Sequence, residues 1–238
     1  MTHIYAWLTL LFTATFVVSP ALTAPFSGFE ANQLPIPQID PPIQPAGYAF
    51  AIWGLIYAWL TISAVFGVVK RRDSPTWDHA RAPLIISLAV GTPWLWIANQ
   101  SAIWATISIF IMAIFAIWAL LRAPAFDRWW FQAPVGIYAG WLTAASFVSL
   151  GSTAAGYGIV LGSLGWAYLA IPLALIVTLT VVSRRPSAPE CGMTVIWALV
   201  GIIVANTTQN TGVSAMAAAG IIIVAATAWK LWQPAQAV

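Results

Sequence analysis

The stretch AGYAFAIWGLIYAWLTISAVFGVVKRR, residues 46–72, decides the fold. Residues 46–69 carry no charge, and the run stops on Lys70-Arg71-Arg72. An apolar helix of this length, at about 1.5 Å per residue, covers a hydrocarbon core about 30 Å thick. The same pattern recurs along the chain, and eight spans are expected: about 4–21, 46–69, 82–98, 101–121, 130–151, 158–183, 192–208 and 212–231. Hydrophobic residues make up 61% of the chain and charged residues 6%. A soluble domain carries roughly 25% charged residues, so this chain has too few to cover a soluble surface. Helices satisfy their own backbone hydrogen bonds and are the expected spans; barrel strands would show a weaker alternation. The expectation is an all-α integral membrane protein.

The basic residues sort completely. Lys70, Arg71, Arg72 and Arg81 follow the second span, Arg122 and Arg128 the fourth, Arg184 and Arg185 the sixth, and Lys230 ends the eighth. The connections after the odd-numbered spans hold none. By the positive-inside rule the N- and C-termini both face the cytoplasm, and the expected location is a bacterial inner (plasma) membrane, crossed several times. The net charge of +3 is spread over loops. It reads as membrane anchoring beside lipids, not as a nucleic-acid footprint. Leu22-Thr23-Ala24 resembles a signal-peptidase site, but residues 1–6 hold no Lys or Arg and the apolar run is long, so the first span reads as retained. Cys191 is the only cysteine, so no intrachain disulfide is expected.

Much chemistry is excluded. Apart from Lys230 at the end of the eighth, no Asp, Glu, Lys, Arg or His falls inside the expected spans, which argues against a buried carboxylate relay. His3 and His79 lie near span ends without clustered partners, so no metal or haem site is expected. No motif for nucleotide binding, nucleophilic catalysis or zinc hydrolysis is present, and the protein is expected to be neither an enzyme nor a carrier of a resident cofactor. Asn206, Gln209 and Asn210, like Asn99 and Gln100, read as solvated turns.

The aromatic residues are the informative ones. Fifteen tryptophans are present. Trp129 and Trp130 beside Arg128 suit the membrane interface, and Trp77 falls in a polar loop. Trp53, Trp141 and Trp166 lie inside their expected spans. Phe50, Trp53 and Tyr57 are spaced i, i+3, i+7 and share one helix face, beside Gly47 and Gly54. Tyr138, Trp141 and Ala145 share a face by the same spacing, beside Gly140. Two such walls, face to face, make a flat apolar slot with a few polar groups, the usual composition of a small-molecule site. The Pro-rich segment 19–44 is read as an extended connector, with a lid over an outward-facing cavity as the alternative.

These clusters resemble the translocator protein or tryptophan-rich sensory protein (TspO/MBR) family. Its second span opens with a pattern of the type P-P-x-W-x-F-x-x-x-W-x-x-L-Y, and here Pro45, Tyr48, Phe50, Trp53 and Tyr57 fall in that order. Leu88-Ala89-Val90-Gly91-Thr92-Pro93-Trp94 is similar to the third-span pattern L-A-F-N-x-L-W, with Gly91 in the place of Asn. Tyr138, Trp141, Thr143, Ala144 and Ala145 match the fifth-span pattern Y-x-x-W-A-T-A-A. The resemblance implies a five-helix bundle over residues 1–151, with three added helices in 152–238. It also implies a ligand pocket inside that bundle for a porphyrin- or sterol-like molecule, lined by Phe50, Trp53, Tyr57, Trp94, Tyr138, Trp141 and Ala145, and a homodimer as a possible assembly.

Two other readings stay open. Pro45-x-Gly47 before Phe50 and Trp53 is echoed by Pro134-x-Gly136 before Tyr138 and Trp141. An inverted repeat would make a secondary transporter for a neutral solute. A non-catalytic membrane scaffold is the third.

Overall fold

The computed structural model describes residues 3–235, all helices and connections, with no strand among them. The helices are α1 (His3–Val18), α2 (Ile52–Lys70), α3 (Pro75–Gly91), α4 (Trp94–Gln100), α5 (Ala102–Leu121), α6 (Ala133–Gly156), α7 (Ser163–Arg184), α8 (Glu190–Asn206) and α9 (Thr211–Ala235). A 3₁₀ turn, Gly47–Ala51, leads into α2, and a π turn, Arg128–Gln132, leads into α6. The segments α3 and α4 together make the third span, so eight apolar helical segments result. Seven are long and apolar enough to cross a membrane, and α8 is a shorter apolar helix of 17 residues. The protein is an integral, multi-pass membrane bundle.

Local chemistry sets the boundaries. Pro75 occupies the first turn of α3, where a missing N–H costs nothing. The helix therefore starts seven residues before the expected span and carries Trp77, Asp78 and Arg81 on its first turns. Pro93 cannot donate to the helix ladder, and the third span breaks there into α3 and α4. The Thr92 hydroxyl turns back to the Leu88 carbonyl (3.0 Å), and the Thr92 carbonyl accepts from Ser19 (2.6 Å). Ser101 alone separates α4 from α5, and its Oγ accepts from the Trp104 N–H at 3.4 Å. Gly158 and Val160 have positive φ (65° and 60°), so α7 begins at Ser163 and not near 158. Trp166 therefore sits in the first turn of its span, donating to the Ile159 carbonyl (2.8 Å), and not deep within it.

Helix α6 is the centre. Of its 24 residues 20 are buried, and it packs on α2, α5, α7 and α8. Helices α1, α2, α3 and α5 close one core around it; α7, α8 and α9 close a second. Small residues allow this crowding. A Cβ on Gly140 would stand 2.4 Å from the Cys191 carbonyl oxygen and 3.0 Å from Thr194 Cβ, so α6 and α8 touch backbone to backbone there. Gly136, one turn earlier, faces Glu190 and Cys191. On α8, Gly201 receives Pro45 and Ala49. Gly47 and Gly54, in contrast, have nothing within 4 Å of a Cβ; they admit no close neighbour.

All the basic loops meet at one end of the bundle. Asp127, 5% exposed, accepts from Arg71 Nε and Nη2 (2.7 and 3.1 Å) and from the Trp77 indole (2.8 Å). That hydrogen bond raises the Arg71 pKa. Trp77 is thus fully buried, not a loop residue in water: it has a carboxylate acceptor, a T-shaped contact with Phe131 (4.7 Å) and the Arg81 guanidinium 5.0 Å from its ring. Arg81 is also buried, inside the third span at its end, and pairs with Asp78 at 2.8 Å. Arg128 pairs with Glu190 (2.5 Å), His3 meets Asp73 (2.5 Å), and Arg185, whose pKa burial lowers, reaches the Ala123 carbonyl. Met1, Thr2 and residues 236–238 lie outside the described residues, so the orientation assigned to the termini rests on the sequence.

Candidate functional site

The opposite end holds the cavity. The 19–44 segment does not run as a free connector. It folds back over the bundle and is tied at several points: Gln33 to the Ala98 carbonyl (2.8 Å), Asn99 to the Ala24 carbonyl (3.2 Å) and the Ile36 N–H to the Gly156 carbonyl (2.8 Å). Asn206, read above as a solvated turn residue, is buried and donates to the Pro42 carbonyl at 2.8 Å. Leu34 and Ile43 are buried beneath the segment. Proline argues against helix here, and these distant hydrogen bonds decide where the strap lies.

Beneath it is a cavity of about 280 Å³. Six of the seven residues expected to line a pocket do line it: Phe50, Trp53, Tyr57, Trp94, Trp141 and Ala145. The two aromatic walls meet edge to face at one end, with Trp141 at 5.8 Å from Phe50 and 6.2 Å from Trp53. Trp53 stacks on Tyr57 at 5.3 Å. The slot therefore opens beside the walls, not between them. Phe26 and Phe29 of the strap close it from above, Phe26 edge-on to Trp94 (5.3 Å).

Tyr138 is the exception. It is fully buried away from the cavity, its hydroxyl 3.0 Å from Ser87 Oγ and its ring 5.7 Å from Phe16. Residues three apart on a helix are offset by about 60°, so Tyr138 turns toward α3 and α1 while Trp141 turns toward α2. Gly91, at the position of the family's Asn, is also packed shut. A Cβ there would stand 2.8 Å from both Met112 and Phe16.

The polar groups divide into satisfied and unsatisfied. The indoles of Trp59, Trp94 and Trp197 donate to the carbonyls of Trp129, Ala105 and Ala49. Among the described residues, the indole N–H groups of Trp53 and Trp141 and the Tyr57 hydroxyl have no protein partner. Ser149 is engaged with Thr106 (2.7 Å), whereas Ser152, also lining the cavity, has a buried Oγ without a partner. No group of three potential metal ligands occurs among the described residues.

Sequence reasoning missed three contributions. The strap aromatics Phe26 and Phe29 lie outside any span and had no periodicity to mark them. Ser152 falls eleven residues after Trp141, on the same stripe of α6, and that spacing was readable. Ala198 of α8 also lines the cavity, so an added helix shares in a site expected within the first five. The readable signal for α8 was Gly136-x-x-x-Gly140, a spacing typical of close helix packing in membranes.

A helical membrane bundle around α6 with an aromatic cavity under one end is the class that fold and site define. The family model for TSPO-like protein matches residues 4–229, and the chain belongs to that family. The match runs into α9, beyond the five-helix bundle that the motifs implied. No curated protein and no solved structure matches the chain.

Proposed function

We propose that this protein binds a flat lipophilic small molecule in the cavity beneath the 19–44 strap, and senses or carries it without transforming it. The observation that supports this reading most directly is a cavity walled by Trp53, Tyr57, Trp94 and Trp141 in which two indole N–H groups and a phenol are left for a ligand. Buried polar groups are normally hydrogen-bonded, and aromatic faces beside free donors suit a planar molecule with an acceptor at its edge. At about 280 Å³ the cavity stands at the lower end of small-molecule sites, about 300–1,000 Å³. Titrating a flat polycyclic probe into the detergent-solubilised protein should quench tryptophan fluorescence saturably. A purely linear, partition-like response would remove the proposal.

Binding should be nearly flat between about pH 5.5 and 8. No carboxylate, amine or imidazole lines the cavity, and an ordinary tyrosine titrates near pH 10. A tenfold change in the dissociation constant of a non-ionisable probe over that interval would contradict it.

The basic end faces the cytoplasm in this proposal, and the strap the opposite compartment. Single cysteines placed at Asp73 and Ser187, in a Cys191→Ser background, should resist an impermeant thiol reagent in intact cells, and one at Gln38 should react. The reverse pattern would invert the orientation.

A further inference from the structure

Helix α2 has two faces. Ile56, Leu60, Ser63, Ala64 and Gly67 are buried in the bundle. Toward the outside, Ile62, Val65, Phe66 and Val69 recur at i, i+3, i+4, i+7 and form one stripe. Ile62, Val65 and Val69 are exposed. Trp130, from the π turn before α6, stacks on Phe66 at 4.4 Å and stands beside the stripe as a wall. Stripe and wall make a groove of about 380 Å³ on the outer surface, and it shares no residue with the cavity under the strap.

The groove suits a hydrocarbon chain. Its one hydroxyl, Thr61, is turned back to the Tyr57 carbonyl (2.8 Å). Lys70 lies nine residues after Thr61, about 14 Å along a helix axis, close to half of a hydrocarbon core about 30 Å thick. The basic end of the groove suits an anion. Lys70 is the last residue of α2 and lines the groove there. A lysine so placed lays its stem along apolar surface and keeps its ammonium among the headgroups. Its neighbours are engaged: Arg71 pairs with Asp127 (2.7 Å), and Arg72 has Asp73 at 3.8 Å. Among the described residues no carboxylate pairs with Lys70. A second outward groove, along Ile52, Leu55, Met193 and Trp197, has Glu190 at its basic end, paired with Arg128 at 2.5 Å. It offers room for a chain but no free cation.

We propose that the α2 groove is a site for one anionic phospholipid, with an acyl chain against Ile62, Val65 and Val69 beside Trp130 and the phosphate at Lys70. The site selects phosphatidylglycerol-type heads over zwitterionic ones, and it does not depend on the small-molecule reading above.

The test reconstitutes the full-length protein in phosphatidylcholine vesicles, with brominated phosphatidylglycerol or brominated phosphatidylcholine replacing a rising fraction of the host lipid. Bromine quenches a tryptophan that it touches. The share of Trp130 is the difference between each protein and the same protein carrying Trp130→Phe, a change that keeps a ring on Phe66. That share should be half-quenched at an about fivefold lower fraction of phosphatidylglycerol than of phosphatidylcholine, the effect of about one basic residue at an anionic head. Lys70→Gln should erase the difference. Lys230→Gln, the same change on α9, which packs on α7 and α8, should preserve it. Val65→Phe, which fills the groove from an exposed position, should erase it with Lys70 intact. Free glycerol phosphate, a head without a chain, should not compete. Equal curves for the two lipids, or a Trp130 share that neither quenches, would overturn the site. So would an equal loss with Lys230→Gln, which would leave only surface potential. A difference that survives Val65→Phe would take the chain out of the groove, and displacement by glycerol phosphate would make the site one for phosphate and not for lipid; either result overturns the proposal.

Discussion

Gly140→Ala should be the most damaging single methyl in the protein. The new Cβ would stand 2.4 Å from the Cys191 carbonyl oxygen, a backbone atom that cannot rotate away. Helices α6 and α8 must then separate, which disturbs the packing on both sides of α6. Overpacking of a tight interior costs about 1–3 kcal/mol, and a backbone-to-backbone clash belongs at the upper end. For a chain of this size about 3 kcal/mol corresponds to a fall in melting temperature of roughly 6–12 °C. Gly54→Ala is the internal comparison: nothing lies within 4 Å, and removing a helix-interior glycine should gain about 0.5–1 kcal/mol. Melting curves of the two variants in one detergent make the test. If they shift alike, the α6–α8 contact has been misplaced.

Trp141→Leu should weaken binding of a flat probe by roughly 1–3 kcal/mol, combining the loss of an aromatic contact with that of a hydrogen-bond donor. Trp141 stands edge-on to both Phe50 and Trp53, so its removal also loosens the wall on α2. Trp130→Leu should leave the affinity nearly unchanged. Trp130 is stacked on Phe66 at 4.4 Å, with Lys70 in the same surface groove near the basic end. Fluorescence titration of both variants, with circular dichroism to confirm folding, separates ligand contact from general packing. Equal losses, or none at either, would assign Trp141 to the core alone.

The apolar helices were legible because charge is intolerant of hydrocarbon: the basic residues between Lys70 and Lys230 bracket eight apolar runs, seven of which form helices long enough to cross a membrane. The aromatic positions were legible from helical periodicity, and five residues chosen by spacing meet Trp94, taken from the family pattern, at one cavity. Tyr138 shows where periodicity stops. On a helix buried all round, sharing a stripe with Trp141 does not mean sharing its neighbour, and the partner, Ser87, is 51 residues away. The strap was illegible for a related reason. Pro35, Pro37, Pro41 and Pro42 forbid helix, but the segment's course is set by Ala98, Gly156 and Asn206, which no local pattern connects to it. Trp77 was misjudged because its acceptor, Asp127, comes from a loop 50 residues further on.

The position of α6 has a mechanical consequence. It is the keel of both groups of helices, gripped by α2 and α5 on one side and by α7 and α8 on the other. Two halves that own the same helix cannot swing against each other as separate blocks; tilting one drags the other. On the proposed reading, a ligand would then reach the cavity by way of its roof and not through an airlock between two halves. There, a few hydrogen bonds at Gln33, Ile36, Asn99 and Asn206 act as latches.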